Sequence, residues 1–269
     1  MPRSNEASKP EVALIDADLW TYDIPFAAQA KKDGREIILP FSYCYKRTHQ
    51  RLNKILERTG CTSYKMYLTG KGNFRHDIAV TATYKGNRQQ PKPFHYNNMR
   101  LWLIHCHGAK VINGMEADDA LSIVQTLKGD KTCIVSRDKD LRITPGWHYG
   151  YRVGNQAESP LEYITEFGYL QKKGSKVIGG GLMFFYYQLL VGDSTDNIKG
   201  LYKVGPVKAY NALYPAESEK DLYSIVLGMY QEKYAEKATE RLLENGRLLW
   251  MVNKLDDNKQ PVMWELPNG

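Results

Sequence analysis

Acidic residues recur in short groups along an otherwise basic chain. The groups are Asp16 and Asp18; Glu116, Asp118 and Asp119; Asp138 and Asp140; and Asp193 and Asp196. Each group follows or ends an apolar run, which predicts one carboxylate pocket assembled from distant segments. Crowded carboxylates repel one another and raise one another's pKa, so such a pocket requires cations. Hard oxygen ligands select Mg²⁺ or Mn²⁺, and we therefore expect a divalent metal centre.

Each acidic group also has an ordinary structural explanation. Acids in the first turn of a helix, as in the Glu116 group, favour the helix dipole and cap free amides. Aspartate is common in turns after strands, as at Asp138, and Asp193 and Asp196 could cap the helices that they separate. The order of the groups along the chain favours a shared site over independent caps.

The chain as a whole is basic. It has 269 residues, with 37 Lys and Arg against 30 Asp and Glu, and a formal net charge of +7. This balance indicates a polyanionic partner, and nucleic acid is the first candidate. No apolar stretch approaches the roughly 20 residues that span a bilayer, and the polar tail 1–10 lacks the apolar core of a signal peptide. We expect an intracellular monomer with no membrane partner.

The cysteines and neighbouring histidines do not predict a zinc site. Cys44, Cys61, Cys106 and Cys133 are scattered without the CxxC spacing of metal ligands, and reduced thiols are expected. His105 and His107 flank Cys106, but neighbouring side chains on a helix or strand point apart and no second ligand pair follows.

Short apolar runs and longer amphipathic stretches alternate along the first two thirds of the chain. The runs predict strands at 11–15, 35–39, 63–68, 109–112, 132–135 and 149–153, and helices at 42–58, 97–105 and 117–127. This alternation predicts an α/β fold with a central, mostly parallel sheet flanked by helices. Sites in such sheets form beyond the carboxyl ends of the strands, where Asp16 and Asp138 fall. From about Gly179 the pattern becomes helical, and the glycine triplet there is a hinge or a helix start.

A basic and aromatic region lies between Lys71 and Lys110. Its cations are Lys71, Arg75, Lys85, Arg88, Lys92, Arg100 and Lys110, against the single acid Asp77, and its aromatics are Phe74, Tyr84, Phe94, Tyr96 and Trp102. Cations neutralise phosphates, and aromatic faces stack on unpaired bases at roughly 1 to 3 kcal/mol each. The region predicts a single-strand contact surface, centred on residues 84–88. The alternative is a solvated basic helix with its aromatics packed inward, which we favour for Trp102.

The segment from Gly200 to Pro206 precedes a predicted helix over 207–213. Two helices joined by a glycine-containing turn present backbone amides at a helix N-terminus, which can bind phosphate without reading sequence. An ordinary helical corner is the alternative. Lys203 and Lys208, near Gly200 and Gly205, favour DNA.

The motifs together resemble the 5′ nuclease family of flap endonucleases and 5′ to 3′ exonucleases, especially the stand-alone bacteriophage enzymes. The matching segments, in order, are LIDADLW, YKGNR, EADDA, SRDKDL, GDSTDNI and GLYKVGP, which span residues 14 to about 213. The resemblance implies a helical arch, over about 71–107, and a C-terminal helix-three-turn-helix element. It implies three parts: a polar tail at 1–10, a catalytic domain at 11–192, and a DNA-binding subdomain with a C-terminal extension at 193–269.

The resemblance also assigns roles to individual residues. Asp16, Glu116 and Asp118 resemble the ligands of one metal; Asp119, Asp138, Asp140, Asp193 and Asp196 resemble the set around a second, partly through water. Lys85 and Arg88 resemble the basic pair that stabilises the scissile phosphate, and Tyr84 a stacking platform for a displaced base. The implied activity is Mg²⁺- or Mn²⁺-dependent hydrolysis of DNA near a 5′ single strand or a 5′ end at a junction, with RNA:DNA hybrids as a further substrate.

One position departs from the family pattern. Many relatives place a metal-binding aspartate after the strand that ends here at Leu68, where this chain has Thr69, Gly70 and Lys71. Either the first metal site is weaker or Asp18 compensates, although Asp18 could equally cap the following helix. The gap keeps a second function open, a non-catalytic DNA-binding accessory protein with the same fold. A third hypothesis is a metal-dependent phosphatase for small substrates, in which the basic and aromatic region between Lys71 and Lys110 would have no purpose.

Overall fold

The computed structural model describes residues 8–32, 35–87 and 90–267. Backbone contacts divide the chain into two compact units that interleave along the sequence. Unit 1 comprises Met1–Gly72, Gln90–Lys139 and Gly146–Tyr163; unit 2 comprises Asn73–Gln89, Asp140–Pro145 and Ile164–Gly269. The predicted functional boundary at residue 193 stays a prediction.

The strands are β1 Val12–Asp16, β2 Gln29–Lys32, β3 Arg35–Ile38, β4 Ser63–Thr69, β5 Lys110–Ile112, β6 Thr132–Val135, β7 Gly146–Gly150, β8 Ser159–Ile164, β9 Tyr169–Lys173, β10 Lys176–Gly180, β11 Gly192–Asp193 and β12 Ile198–Lys199. The α-helices are α1 Trp20–Ala27, α2 Phe41–Thr59, α3 Arg75–Ile78, α4 Tyr96–His107, α5 Ala117–Lys128, α6 Gly181–Val191, α7 Pro206–Leu213, α8 Glu219–Tyr234 and α9 Ala238–Leu249. None of the described helices is long and apolar enough to cross a bilayer.

Unit 1 is built on a central sheet with the strand order β5-β4-β1-β6-β7-β8. The pairings from β5 to β7 are all parallel, and Asp16 lies opposite Tyr67 at the end of the β1–β4 pair. Ala13, Leu14 and Ile15 are fully buried because helices cover parallel sheets on both faces. Asp16 therefore lies at the carboxyl end of a strand in the interior of the sheet.

Helix α2 covers part of this sheet with one apolar face. Its buried residues recur every three or four positions: Cys44, Thr48, Leu52, Ile55 and Thr59. This spacing places them on one side of the helix, which packs into the core with Trp20, Met66 and Leu103. Gly60 ends the helix with φ of 73°, a conformation that favours glycine.

Unit 2 has the apolar helix α6 at its core. Phe185 packs edge-on against Trp250 and Trp264. The hydroxyl of Tyr230 donates to Leu189 O at 2.7 Å and accepts a hydrogen bond from Asn245 Nδ2 at 2.8 Å. Helices α8 and α9 are thereby tied to α6, and the antiparallel ribbon β9–β10 completes the unit.

The predicted fold class is confirmed, with differences in detail. β3 pairs antiparallel with β2 rather than joining the central sheet, and β8 to β12 were not predicted. Of the glycine triplet, Gly179 and Gly180 end β10 and Gly181 begins α6. Within the predicted arch region of about 71–107, α3 and α4 are the helices, and the described residues of 79–95 form none. Pro91 and Pro93 disfavour a helix immediately before α4, and the arch stays a prediction.

Candidate active site

Asp16 is held at the carboxyl edge of the sheet by hydrogen bonds from two segments. Only 7% of the residue is exposed. Ser136, which follows β6, donates from Oγ to Asp16 Oδ2 at 2.7 Å, and the backbone N–H of Asp18 donates to Oδ1 at 3.1 Å. Ser136 Oγ also accepts the N–H of Asp138 at 2.9 Å. The ends of β1 and β6 are thus joined around one carboxylate.

The charged form of Asp16 is disfavoured. Burial raises its pKa to about 7, and the negative charges of Asp18 and Asp138 add to the increase. The hydrogen bonds from Ser136 and from the Asp18 N–H act in the opposite direction, with a smaller effect. A cation beside Asp16 would therefore stabilise the carboxylate.

Asp18 is anchored at the carboxyl end of β4. The Thr69 N–H donates to both Asp18 oxygens, at 3.0 and 3.1 Å, and Arg100 Nη1 lies 3.8 Å from Asp18 Oδ1. Thr69 Oγ1 accepts the N–H of Ala117, the first residue of α5, at 2.9 Å. Burial raises the pKa of Asp18, the hydrogen bonds from Thr69 and the charge of Arg100 lower it, and the charge of Glu116 raises it. Asp18 therefore belongs to the same charge cluster as Asp16 and Glu116.

Gly70, at the position where the resemblance implied an aspartate, has little room for a side chain. Its N–H donates to Ile112 O at 2.6 Å. A Cβ at position 70 would lie 2.2 Å from Asn113 Oδ1 and 2.6 Å from Ile112 O. Asn113 Oδ1 is in turn fixed by the N–H of Lys71 at 2.8 Å. The close approach of the chain after β5 excludes a carboxylate here, and Asp18 lies at the same strand end.

Glu116 and Asp119 form a capping box at the start of α5. Asp119 Oδ2 accepts the N–H of Glu116 at 3.2 Å, and the Glu116 side chain accepts the N–H of Asp119. Asp119 is fully buried, whereas Asp118 between them is half-buried. The helix-capping role predicted for the Glu116 group is therefore confirmed. It does not exclude metal binding, because a carboxylate has about four acceptor sites.

In unit 2, Asp193 and Asp196 shape the loop between β11 and β12. Asp193 Oδ1 accepts the N–H groups of Thr195 at 2.7 Å and Asp196 at 3.3 Å. Asp140, at the start of a short 3₁₀ helix, accepts a hydrogen bond from Gln188 Nε2. Asp140 and Asp193 therefore each accept hydrogen bonds from protein groups.

The YKGN and GDSTDN motifs interlock within unit 2. Tyr84 OH donates to Asp196 Oδ2 at 2.9 Å, and Lys85 Nζ lies 3.6 Å from the same oxygen. The N–H of Lys85 donates to Asp196 O at 3.0 Å, and Asn87 Nδ2 donates to Ser194 O at 2.8 Å. The sequence did not predict this contact, because the motifs are more than 100 residues apart.

Two side chains of the basic region are buried: Tyr84, which was predicted to contact nucleic acid, and Arg75, one of the cations of the region. Tyr84 is only 3% exposed, so its ring does not offer the open face that base stacking requires. Arg75 is fully buried, and its guanidinium donates to Leu248 O at 3.0 Å and to Trp250 O at 2.7 Å. Both side chains are occupied by packing within unit 2.

Other residues of the region differ in exposure. Lys92 is exposed, with Nζ 4.5 Å from the centre of the Tyr96 ring, and Phe94 is 66% exposed. Trp102 packs against the core of unit 1, as predicted. Arg88 lies outside the described residues.

The segment from Gly200 to Lys208 combines a packed glycine with exposed cations. A Cβ at Gly200 would lie 2.2 Å from the carbonyl carbon of Val191, so this glycine serves close packing onto the end of α6. Gly205 is the N-cap of α7, which begins at Pro206. Lys203, with φ of 62°, and Lys208 are exposed. The turn therefore offers a helix N-terminus flanked by lysines.

The donor set of unit 1 fits a magnesium-type ion better than a closed metal cage. Among the described residues, no three His, Cys, Asp or Glu side chains are gathered tightly enough to hold an ion. Mg²⁺ normally keeps several waters and takes one or two carboxylates, with substrate phosphate completing its ligands. The adjacent oxygens of Asp16 and Asp18, both with raised pKa, meet that requirement.

Unit 1 combines a mostly parallel sheet with carboxylates at its strand ends, and unit 2 is mostly helical. Two solved structures share this fold, each with a TM-score of 0.50 and 16% identity: a bacteriophage T5 flap endonuclease with DNA and metal ions, covering 89% of this chain and 95% of that one, and the catalytic core of Rad2 with DNA substrate, covering 96% and 84%.

The sequence points to the same class. A 5'-3' exonuclease of Buchnera aphidicola subsp. Schizaphis graminum (strain Sg) is 28% identical over 229 residues, which cover 80% of this chain and 74% of the relative. No family model matches the chain. The resemblance to the 5′ nucleases is therefore confirmed at the level of both sequence and fold.

Proposed function

We propose that this protein is a divalent-metal-dependent 5′ nuclease that hydrolyses phosphodiesters near 5′ ends of DNA during replication, recombination or repair. The observation that carries the proposal is the pair of neighbouring carboxylates, Asp16 and Asp18, at the carboxyl edge of the unit 1 sheet. Their raised pKa values make a cation favourable there. The chain's similarity to a 5'-3' exonuclease supports the same activity.

The family resemblance assigns Asp16, Glu116 and Asp118 to the first ion; in our proposal Asp16 and Asp18 bind it directly, and Glu116 and Asp118 act through water. Such an ion supplies an activated water and stabilises charge that builds on the phosphate and the leaving oxygen. The protein contributes orientation: Ser136 fixes the Asp16 carboxylate. Thr69 fixes the carboxylate of Asp18. Mg²⁺ or Mn²⁺ is the proposed ion, because these hard cations prefer oxygen ligands.

A second ion remains part of the proposal. The acids assigned to it by family resemblance are Asp119, Asp138, Asp140, Asp193 and Asp196. Asp138 acts on the pKa of Asp16, which supports its membership in the carboxylate cluster of unit 1.

DNA contacts are proposed for the exposed cations. Lys203, Lys208 and the amides at Gly205 would bind the duplex backbone, because a helix N-terminus flanked by lysines favours phosphate. Lys92 would contact the single strand. Lys85 and Arg88 are the proposed partners of the scissile phosphate. DNA with a 5′ single strand or a 5′ end at a junction is the main substrate, RNA:DNA hybrids are a second, and the enzyme acts as a monomer.

The deciding experiment uses purified protein with 5′-labelled flap, nicked and gapped DNA, in Mg²⁺, Mn²⁺ or EDTA, with product sizing. We expect metal-dependent products released from the 5′ end and none in EDTA. DNA binding without any product in either metal would instead support an accessory protein. Hydrolysis of a small phosphoester but not of DNA would support a phosphatase.

A further inference from the structure

Helix α2 carries a row of cations on one side. Arg47, Arg51, Lys54 and Arg58 follow one another at intervals of four, three and four residues. Residues at this spacing lie along one face of a helix. The row extends about 16 Å along the helix axis, because an α-helix rises about 1.5 Å per residue. None of these residues belongs to the proposed metal or DNA contacts.

The row borders a cavity of about 340 Å³ in unit 1. On the α2 side the cavity is lined by Arg47, Gln50, Arg51, Lys54 and Ile55, and on the other side by Tyr149, Tyr151, Arg152 and Gly154. Four of the lining residues are cations and none is an acid. The lining therefore favours an anion.

The cations of the lining divide into one that is fixed and three that are exposed. Arg51 forms a bidentate pair with Asp23, and its guanidinium lies 5.2 Å from the Trp20 ring and 4.7 Å from the Tyr151 ring. Arg47, Lys54 and Arg152 are exposed, and none of them forms an ion pair with a described carboxylate. Their charges are available to a ligand.

The nearby acid at the end of the row is already neutralised. Glu158 lies 3.7 Å from Arg58 and accepts a hydrogen bond from Tyr149 OH at 3.2 Å. Repulsion of an anion by Glu158 is therefore reduced by Arg58. Arg47, Arg51, Lys54 and Arg152 together form what we call the α2 basic surface.

We propose that the α2 basic surface binds the phosphate backbone of a DNA strand, in addition to the contacts of the metal centre. The α2 cations of this surface, from Arg47 to Lys54, span about 10 Å along the helix axis, which matches a line of about three phosphates better than a single anion, since each DNA strand presents one phosphate per roughly 3.4 Å of helix axis. The exposed arginines and lysine suit sequence-independent binding, because phosphate contacts position DNA without reading bases. The inference rests on the proposed nuclease function.

The test compares Arg47→Ala and Lys54→Ala with Lys46→Ala, an exposed lysine on the same helix that does not line the cavity. Binding of fluorescein-labelled flap DNA is followed by anisotropy in EDTA over a salt series. Each cavity variant should bind about fivefold more weakly, and the slope of log affinity against log salt should fall by about 1. Lys46→Ala should keep the parental affinity and slope.

Two further measurements separate the outcomes. At constant ionic strength, millimolar inorganic phosphate should leave DNA binding by the parent almost unchanged. If phosphate competed with DNA for the parent but not for Lys54→Ala, the cavity would be a small-anion site, and the strand proposal would be overturned.

Single-turnover cleavage at saturating DNA should stay parental in both cavity variants. Cavity variants that match Lys46→Ala, in a parent that cleaves DNA, would refute this inference alone, whereas a parent without cleavage refutes the nuclease function.

Discussion

The acidic groups of the two units have opposite electrostatic surroundings. In unit 1, Asp16 and Asp18 lie close together, and burial raises the pKa of both. In unit 2, the Asp196 carboxylate accepts the Tyr84 hydroxyl and lies 3.6 Å from the Lys85 ammonium. Asp196 has the Lys85 cation and Asp18 has the Arg100 cation, but Asp16 forms no ion pair with a described cation, and it would gain from a cation supplied by solution. The same residue type thus serves a loop anchor in one unit and a candidate metal centre in the other.

The largest effect should come from removing the central acid of unit 1. Asp16→Asn keeps the shape of the side chain but removes its charge, so the metal-dependent single-turnover rate on flap DNA should fall by roughly a thousandfold or more. DNA binding in EDTA should be unchanged. Asp257→Asn, at an exposed position, is the matched control and should cleave like the parent. Parental cleavage by Asp16→Asn would remove unit 1 as the metal centre.

The stability of the metal-free protein should depend on pH through Asp16. Its pKa rises from 3.8 to about 7 on folding, so the folded state binds more protons between these values and stability falls as pH increases through that window. Relative to the parent, Asp16→Asn should therefore gain stability on the order of a few kcal/mol between pH 4 and pH 8 in EDTA.

Urea denaturation at pH 4 and at pH 8 measures the difference in stability between the parent and Asp16→Asn. At pH 8, Mg²⁺ should stabilise the parent but not Asp16→Asn. If the stability of the two proteins depended equally on pH, folding of the metal-free protein would not raise the pKa of Asp16.

The exclusion of a side chain from position 70 predicts an intermediate effect. Gly70→Ala would place a Cβ against Asn113 Oδ1 and Ile112 O, and overpacking of this kind costs about 1 to 3 kcal/mol. Gly228→Ala, within α8 and with no atom within 4 Å of the new Cβ, should be neutral or slightly stabilising. Equal urea midpoints for the two variants would mean that the β4 end can accept a side chain after all.

The smallest effect concerns the loop anchor of unit 2. Tyr84→Phe removes one hydrogen bond to Asp196, which should cost about 1 kcal/mol and lower Tm by about 2 to 4 °C. Tyr202→Phe, at a residue that is 67% exposed, should leave Tm unchanged. If Tyr84→Phe also kept the parental Tm, the hydrogen bond from Tyr84 to Asp196 would not stabilise the loop, and Asp196 would not differ from the unit 1 acids in this respect.

Regular patterns predicted the elements of unit 1 well. The buried runs of β1, β4 and β6 and the helical spacing of α2, α4 and α5 specify these elements locally, and the structure has them within about two residues. β9 and β10 were not predicted because neither YLQKK nor KVIGG has a clear alternation of apolar and polar residues. Their ribbon depends on pairing rather than on local pattern.

The candidate site was predictable by residue type but not by contact. Acids at strand ends suggested Asp16, yet nothing in the spacing indicates that Asp18 binds the Thr69 N–H, since these residues are 51 positions apart. The burial of Arg75 was hidden for the same reason, because its carbonyl partners lie more than 170 positions away. The sequence around a cation in a basic run does not indicate whether that cation has such distant partners.

The packing around Gly70 also constrains how this sequence can change over time. Shortening Asn113 would remove only part of the obstruction, because the backbone carbonyl of Ile112 would still lie 2.6 Å from a new Cβ. An aspartate at position 70 therefore requires the backbone at Ile112 to move, in addition to any change at Asn113. Selection for tighter ion binding would act first on residues such as Asp18, whose backbone needs no rearrangement.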